Sequence, residues 1–372
     1  MTTQNRVTVA VPRETKPGEL RVALVPADAG RLVKAGLTVQ VQSGAGTAAH
    51  YPDAAYEKAG ASVVADAASL FGGADAVLKV QPPTVEEAGH IKQGALVICF
   101  LQPVADAAVV QALLARNITA LSMNLVPRTT RAQVMDALSS QATVSGYRAA
   151  LLGAQTLPKF LPMLTTAAGT IPPATVFVIG AGVAGLQAIA TSRRLGANVR
   201  AFDIREAARE EVLSLGATFV VADLVSKDAQ DAGGYAKEQS EDARKATAAA
   251  LAKHVADADC LILSASVPGK KAPALVTAEM VAAMKHGAVI VDLAAEQGGN
   301  CAITKPGETF VTDNCVTVCG PVNVPSSMPT HASLLYSKNT LNVLQYVLKD
   351  GALALNPEDE IVKAMSVKGG AQ

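Results

Sequence analysis

The sequence contains no tryptophan, and aromatic residues of every kind make up 3% of its 372 residues. A chain so poor in aromatics has little with which to stack bases, which argues against single-stranded nucleic acid as a ligand. It also lacks a charge imbalance, since 32 lysines plus arginines are matched by 32 aspartates plus glutamates. That balance favours neither a polyanion nor an acidic membrane surface as partner. The five cysteines, Cys99, Cys260, Cys301, Cys315 and Cys319, are scattered, with no Cys-x-x-Cys and no histidine at zinc-ligand spacing. Reduced core thiols and no metal site are expected. No signal-like apolar segment precedes the first apolar run at residues 7–11, so a soluble chain made in the cytosol is expected.

What is present is apolar and regularly spaced. Half the residues are apolar and 17% are charged, which suits buried sheets, and the length allows two domains. Residues 7–11, 37–41, 76–80, 96–101 and 118–123 read as strands, with a helix over 26–35 ended by Gly36. Alternation of this kind implies a parallel sheet. Residues 176–179, 199–202, 218–221, 260–264, 289–293 and 317–319 supply six more strands, the number of a doubly wound nucleotide domain. Residues 328–349 read as a long amphipathic helix with Leu334, Leu335, Leu341, Leu344 and Val347 on its stripe. Such a helix after the last strand returns to the first domain, so that domain is expected to be discontinuous. The polar tail from Gly351 is expected to be partly ordered at best. The fold class is therefore α/β, two Rossmann-like domains with parallel sheets: residues 1–136 plus 327–372, and residues 137–326.

The chemistry is concentrated in one phrase. An apolar β-branched strand runs into Gly180-Ala-Gly182-Val-Ala-Gly185 and then into an Ala/Leu helix start. The first glycine makes the tight turn and the second lets backbone approach a pyrophosphate. The third lets the helix pack on the sheet, so that free N–H groups at the helix start face the phosphates. Asp203 ends the next strand 18 residues after Gly185, where a carboxylate accepts hydrogen bonds from ribose hydroxyls. A 2′-phosphate beside it would be repelled, which favours NAD(H) over NADP(H). Arg205, two residues on, is of the type that pairs with phosphate, but the acid holds the fingerprint position and carries more weight.

Two competing readings fail. Residues 160–192 carry no charge, as a membrane span would, but Pro162, Pro172, Pro173 and the three glycines break the run. A parallel strand buried on both faces reads the same way. Gly44-Ala-Gly46 nominally starts a second fingerprint, yet Pro52 follows where its helix should continue. Between the strand at 218–221 and the helix beginning at Glu241 lies an insertion, residues 223–240, with Gly233, Gly234 and Tyr235. Its length suits a mobile lid.

With the fingerprint placed, the chain resembles the alanine dehydrogenase and nicotinamide nucleotide transhydrogenase superfamily over essentially its whole length. The resemblance rests on the opening Val11-Pro-Arg-Glu-Thr-Lys, on Leu78-Lys79-Val80-Gln-Pro82, and on Glu296-Gln-Gly-Gly-Asn300. Pro127-Arg128-Thr-Thr-Arg-Ala-Gln133 with Asp136 and Ser139, the Gly234-Tyr235 lid and Asn323-Val-Pro-Ser326 are similar to the NAD(H)-binding component of the transhydrogenase branch.

That resemblance implies Arg128, Gln133, Asp136 and Ser139 as residues that position the nicotinamide end. It implies Thr129, Thr130, Val183, Ile204, Arg205, Ser266, Gly234 and Tyr235 as cofactor contacts beside the fingerprint glycines and Asp203. It further implies a homodimer docked at the cytoplasmic face of the inner membrane. NADP(H)-binding and membrane-spanning subunits on separate chains would complete a Si-specific, proton-translocating enzyme. The dehydrogenase branch has a histidine where Gln102 stands and an aspartate where Glu296 stands. Glutamine does not titrate, whereas making or breaking an imine needs a proton donor near neutrality. Hydride exchange between two nicotinamides needs none. Arg21 and Lys79, substrate ligands in the dehydrogenase branch, remain as a vestige or as ion-pair partners. An amino-acid dehydrogenase using Glu296 as acid, and a non-catalytic NAD(H)-binding module, stay open as alternatives.

Overall fold

The computed structural model describes residues 6–220, 241–267 and 269–367. The chain forms two units, Met1–Gln141 with Pro325–Gln372, and Ala142–Val324.

The first unit is built on six strands, β1 (Thr8–Val11), β2 (Thr38–Gln42), β3 (Ser62–Val64), β4 (Ala76–Leu78), β5 (Leu96–Cys99) and β6 (Thr119–Ser122). They lie in the order β3-β2-β1-β4-β5-β6, and every pairing is parallel. Side chains alternate between two cores. Val9, Val11, Val39, Val41, Leu78 and Ile98 enter one, and Ala10, Val77, Val97 and Cys99 enter the other. Burial on both faces explains why β1, β4 and β5 read as apolar runs, whereas β2 alternates valine with half-buried glutamine. The short strand β3, only half-buried at Val63 and Val64, escapes that signal.

Helix Pro329–Tyr346 completes this unit, as its discontinuity requires. Of the stripe read from the sequence, Leu341, Leu344 and Val347 are buried in the core, and serine and threonine side chains widen the buried face. Leu334 is only partly buried, while Ser333, Tyr336, Ser337, Thr340, Leu341 and Leu344 are buried. The reason is hydrogen bonding. Ser333 Oγ accepts from Val22 N at 3.0 Å. Ser337 Oγ accepts from Val25 N at 3.0 Å and donates to Asp28 Oδ2 at 2.7 Å. The buried backbone of an irregular segment thereby finds side-chain partners.

The tail also differs from expectation. A small hairpin, Leu348–Lys349 with Ala352–Leu353, is followed by helix Glu360–Met365. Asp359 caps that helix, and Ile361, Val362 and Met365 are buried in the unit's core. These three apolar residues anchor a polar stretch to the core, and Val367 N–H donates to Ala120 O.

The second unit opens with an exposed hairpin, β7 (Leu164–Thr166) and β8 (Gly169–Ile171). Its main strands are β9 (Thr175–Ile179), β10 (Asn198–Phe202), β11 (Thr218–Phe219), β12 (Cys260–Leu263), β13 (Val289–Asp292), β14 (Thr309–Val311) and β15 (Thr317–Cys319). The order is β11-β10-β9-β12-β13-β15-β14. Six strands are parallel, and an antiparallel edge strand, β14, adds a seventh beyond the six expected from the sequence. Here too the cores alternate. Val176 and Val178 face one layer, and Phe177 and Ile179 face the other. The chain leaves β9 in one direction along the sheet and β12 in the other, so a crevice opens at their carboxyl ends, where open α/β sheets take ligands.

Candidate functional site

The three fingerprint glycines occupy three different environments at that crevice. Gly180, directly after β9, has φ of +93°, and a Cβ there would lie 2.8 Å from Ala265 N. Gly185, in helix Val183–Arg194, lies so close to the strand end that a Cβ would overlap Gly180 O at 1.8 Å. Gly182, the N-cap of that helix, is open, with no atom within 4 Å of a notional Cβ. Gly180 and Gly185 are therefore demanded by packing, while Gly182 faces open space. The open one lies at a helix start whose first N–H groups have no intrahelical partner, a fit for an anionic pyrophosphate. Val183, at the first helical position, is 39% exposed despite its apolar side chain.

Asp203 follows β10 and is buried, with Oδ2 accepting from Ala181 N at 2.8 Å. The carboxylate thus touches the glycine turn directly. Its other acceptor positions are taken by Arg205. Oδ1 accepts from Arg205 N and Nε, both at 2.9 Å, and Oδ2 accepts from Arg205 Nη2 at 2.9 Å. Ile204 is half-buried between them in sequence, and Ser266, after β12, is exposed.

The β12 loop is held by a pair of residues whose role the sequence did not disclose. Asn300 accepts from Ala265 N at 3.0 Å and donates to Ala265 O and Pro273 O at 2.8 Å. Asn300 N in turn donates to Asp292 Oδ2, at the end of β13. Asp292 also accepts from Ala294 N, Cys301 N and Thr304 Oγ1. Burial raises its pKa, and these donors pull it back in part. Gly146 gave no signal in the sequence either. A Cβ there would lie 2.0 Å from Ala184 O, so helix Ala137–Thr156 reaches the fingerprint helix only through a glycine.

In the first unit, Arg128, Thr129, Thr130, Gln133, Asp136 and Ser139 line one depression of about 290 Å³ together with Pro127. Asp136 begins helix Ala137–Thr156, with Oδ1 accepting from Ser139 N at 2.9 Å and Oδ2 from Ser139 Oγ at 2.6 Å. A carboxylate at that place suits a helix N-terminus. The 3₁₀ turn Gln133–Met135 is clamped from behind, where Asn339 and Asn342 both donate to Val134 O. Arg131 of the same loop meets Glu360 and Tyr346 Oη. The depression is lined mostly by polar residues, on a loop held by these contacts.

The first unit has its own switch point, between β1 and β4, and it is filled by ion pairs. Arg21 is bound side-on by Glu19 and donates to Gln141 Oε1 at 2.9 Å. Lys79, fully buried, lies 3.5 Å from Glu14 and 3.4 Å from Glu87. Glu14 also accepts from Val80 N and Gln81 N. Burial raises the Glu14 pKa, with Lys79 opposing it, while the Arg21 and Gln81 donors overcome burial at Glu19 and lower its pKa to about 2. Both cations of the dehydrogenase-branch pattern are thus matched by carboxylates of this chain. Gln102 is exposed and carries no titrating group, and Glu296 accepts from Asn323 N at 3.0 Å.

The Gly44 loop is closed on itself. Gly44 N donates to Asp53, and Gly46 is pressed against Tyr51. Gly234 and Tyr235, expected as lid residues, lie outside the described residues. Among the described residues no helix is long and apolar enough to cross a membrane.

The model of the alanine dehydrogenase/PNT N-terminal domain matches residues 10–145, and that of the C-terminal domain matches residues 149–371. An NAD(P) transhydrogenase alpha-subunit polypeptide of Rhodospirillum rubrum is 48% identical over 96% of this chain and 95% of its own length. Alanine dehydrogenase of Mycobacterium tuberculosis is 32% identical over 98% of this chain and 94% of its own. The solved structure of transhydrogenase from Sinorhizobium meliloti superposes with a TM-score of 0.87 at 43% identity, covering 96% of this chain and 97% of that one.

Proposed function

This chain belongs to the alanine dehydrogenase/PNT family, and from that membership we propose that it is the NAD(H)-binding component of a proton-translocating transhydrogenase. The observation that carries the reading is the state of Arg21 and Lys79. A 2-oxo acid would need unpaired cations to bind its carboxylate, and here each cation already has carboxylate partners. The higher identity to a transhydrogenase subunit than to an alanine dehydrogenase supports the same choice.

In this reading the Gly180 turn takes the pyrophosphate of NAD(H), Asp203 takes the adenosine ribose, and Val183, Ile204 and Ser266 flank them. Arg128, Thr129, Thr130 and Gln133 bind the nicotinamide carboxamide or a phosphate. Asp136 and Ser139 fix the loop that carries those groups. NAD(H), when bound, supplies or accepts a hydride at its nicotinamide ring. The chain's own residues position that ring, and none of them has to move a proton, which agrees with Gln102 in place of a histidine. Gly234 and Tyr235 are included in the proposal as nucleotide contacts.

The other nicotinamide, NADP(H), is assigned to a partner subunit, and proton movement to membrane-spanning subunits. The chain would sit at the cytoplasmic face through those partners. A homodimer is part of the proposal, supported by Phe160, Met163 and Ile171, which are exposed at and just before the β7–β8 hairpin and offer apolar surface to a second copy.

The test is a solution assay of the purified chain alone with NADH, pyruvate and ammonia. No oxidation of NADH is expected. Steady turnover would replace this proposal with an amino-acid dehydrogenase.

A further inference from the structure

Asp203 makes more contacts than a ribose acceptor should. A carboxylate offers about four lone-pair positions, and here the donors are Ala181 N, Arg205 N, Arg205 Nε and Arg205 Nη2. The two backbone donors are fixed by the turn and by the chain direction after β10. The two guanidinium donors are not, because they sit at the end of a flexible side chain that is 17% exposed. A ribose diol can bind this carboxylate only by taking the guanidinium's two positions.

We propose that Asp203 and Arg205 form a latch that decides between a ribose diol and a 2′-phosphate. The inference rests on the reading of the Gly180 turn as a nucleotide site. With the latch closed, Asp203 holds the Arg205 guanidinium. A diol donates two hydrogen bonds and so replaces the guanidinium on the carboxylate. A 2′-phosphate dianion donates none, is repelled by Asp203, and meets a guanidinium already engaged. Arginine is well suited to phosphate because its planar fork bonds two oxygens at once. Arg205 therefore stands where it would favour NADP(H), and Asp203 prevents it from doing so. The carboxylate has two functions, accepting the diol and restraining the cation.

The test is calorimetric titration of the full chain and three variants with NADH and with NADPH. In Asp203→Asn the amide cannot hold the guanidinium from two sides. NADH weakens, and NADPH strengthens by about tenfold as Arg205 turns to the phosphate. In Asp203→Asn with Arg205→Gln, that gain in NADPH affinity disappears. Arg205→Gln alone tightens NADH by about threefold, since no partly exposed ion pair has to be displaced. Equal NADPH affinity in the single Asp203→Asn and the double variant would overturn the latch. So would a clear loss of NADH affinity in Arg205→Gln, which would mean that the guanidinium binds NADH directly. Failure of the unmodified chain to bind NADH would instead remove the nucleotide reading on which the latch depends. The NADPH-to-NADH ratio separates these outcomes from general loss of structure, which would weaken both ligands together.

Discussion

Glu19 closes on Arg21 side-on, with Nε to Oε1 at 2.8 Å and Nη2 to Oε2 at 2.6 Å, inside a unit where both side chains are almost inaccessible. The pair occupies some of the crevice in which a sheet of this topology would otherwise take a ligand. Arg21, a substrate ligand in the dehydrogenase-branch pattern, is here ion-paired with Glu19.

The pair makes an acid-stability prediction. Burial opposes ionisation of Glu19, but Arg21 and Gln81 hold its pKa at about 2, below the ordinary 4.5. The stability it contributes is present above pH 4.5 and is lost as pH falls towards 2, amounting to roughly 3 kcal/mol. Glu19→Gln leaves Arg21 buried without its carboxylate and should cost about 3–5 kcal/mol at neutral pH. Urea unfolding as a function of pH should then show a shallower acid slope in the variant. Identical slopes would mean that Glu19 is not the group that titrates.

The glycine turn predicts two opposite phenotypes. Gly185→Ala drives a methyl into Gly180 O and should destabilise the chain by at least about 2 kcal/mol, because backbone rather than a side chain must move. Gly182→Ala meets nothing and keeps an ordinary β backbone, so thermal unfolding should be unchanged. Its methyl nevertheless enters the space a pyrophosphate would approach, and NADH affinity should fall by about tenfold or more, at least about 1.4 kcal/mol. Full NADH affinity in Gly182→Ala would place the phosphates elsewhere.

Asn300 should behave as a positioning residue. Asn300→Ala releases Ala265 from both its hydrogen bonds and leaves buried backbone groups of the β12 loop without partners, at a cost of about 1–3 kcal/mol. NADH binding should weaken with it, because that loop packs against Gly180. The check is to restore stability with an osmolyte and titrate again. Recovery of folding without recovery of affinity marks a role in the site, and recovery of both marks a purely structural one.

The regions of the molecule that were legible in its sequence are those where one local signal had one physical cause. Strand β9, the glycine turn, helix Val183–Arg194 and Asp203 are contiguous or nearly so, and their spacing carries the geometry. Parallel strands buried on both faces gave unbroken apolar runs. Strand β3 and edge strand β14 were missed because each is short and partly exposed. The leucine stripe of helix Pro329–Tyr346 covered only part of its buried face, because serine hydroxyls face the irregular segment around Val22 and Val25. The Asp203–Arg205 pair could be suspected from spacing, but saturation of the carboxylate is a matter of rotamers. Asn300 acts on Ala265 across 35 residues, and no periodicity reports such a contact.

The central claim, that this nucleotide site faces another nicotinamide and not a small substrate, is tested most directly by isotope transfer. The purified chain is mixed rapidly with NADH deuterated at the nicotinamide C4 position and with an NADP⁺-loaded transhydrogenase NADP(H)-binding subunit. Fast formation of NADPH that carries the deuterium is predicted, without exchange into water, since no titrating group intervenes. Tight binding of both nucleotides with no transfer, or appearance of the deuterium in solvent, would contradict it.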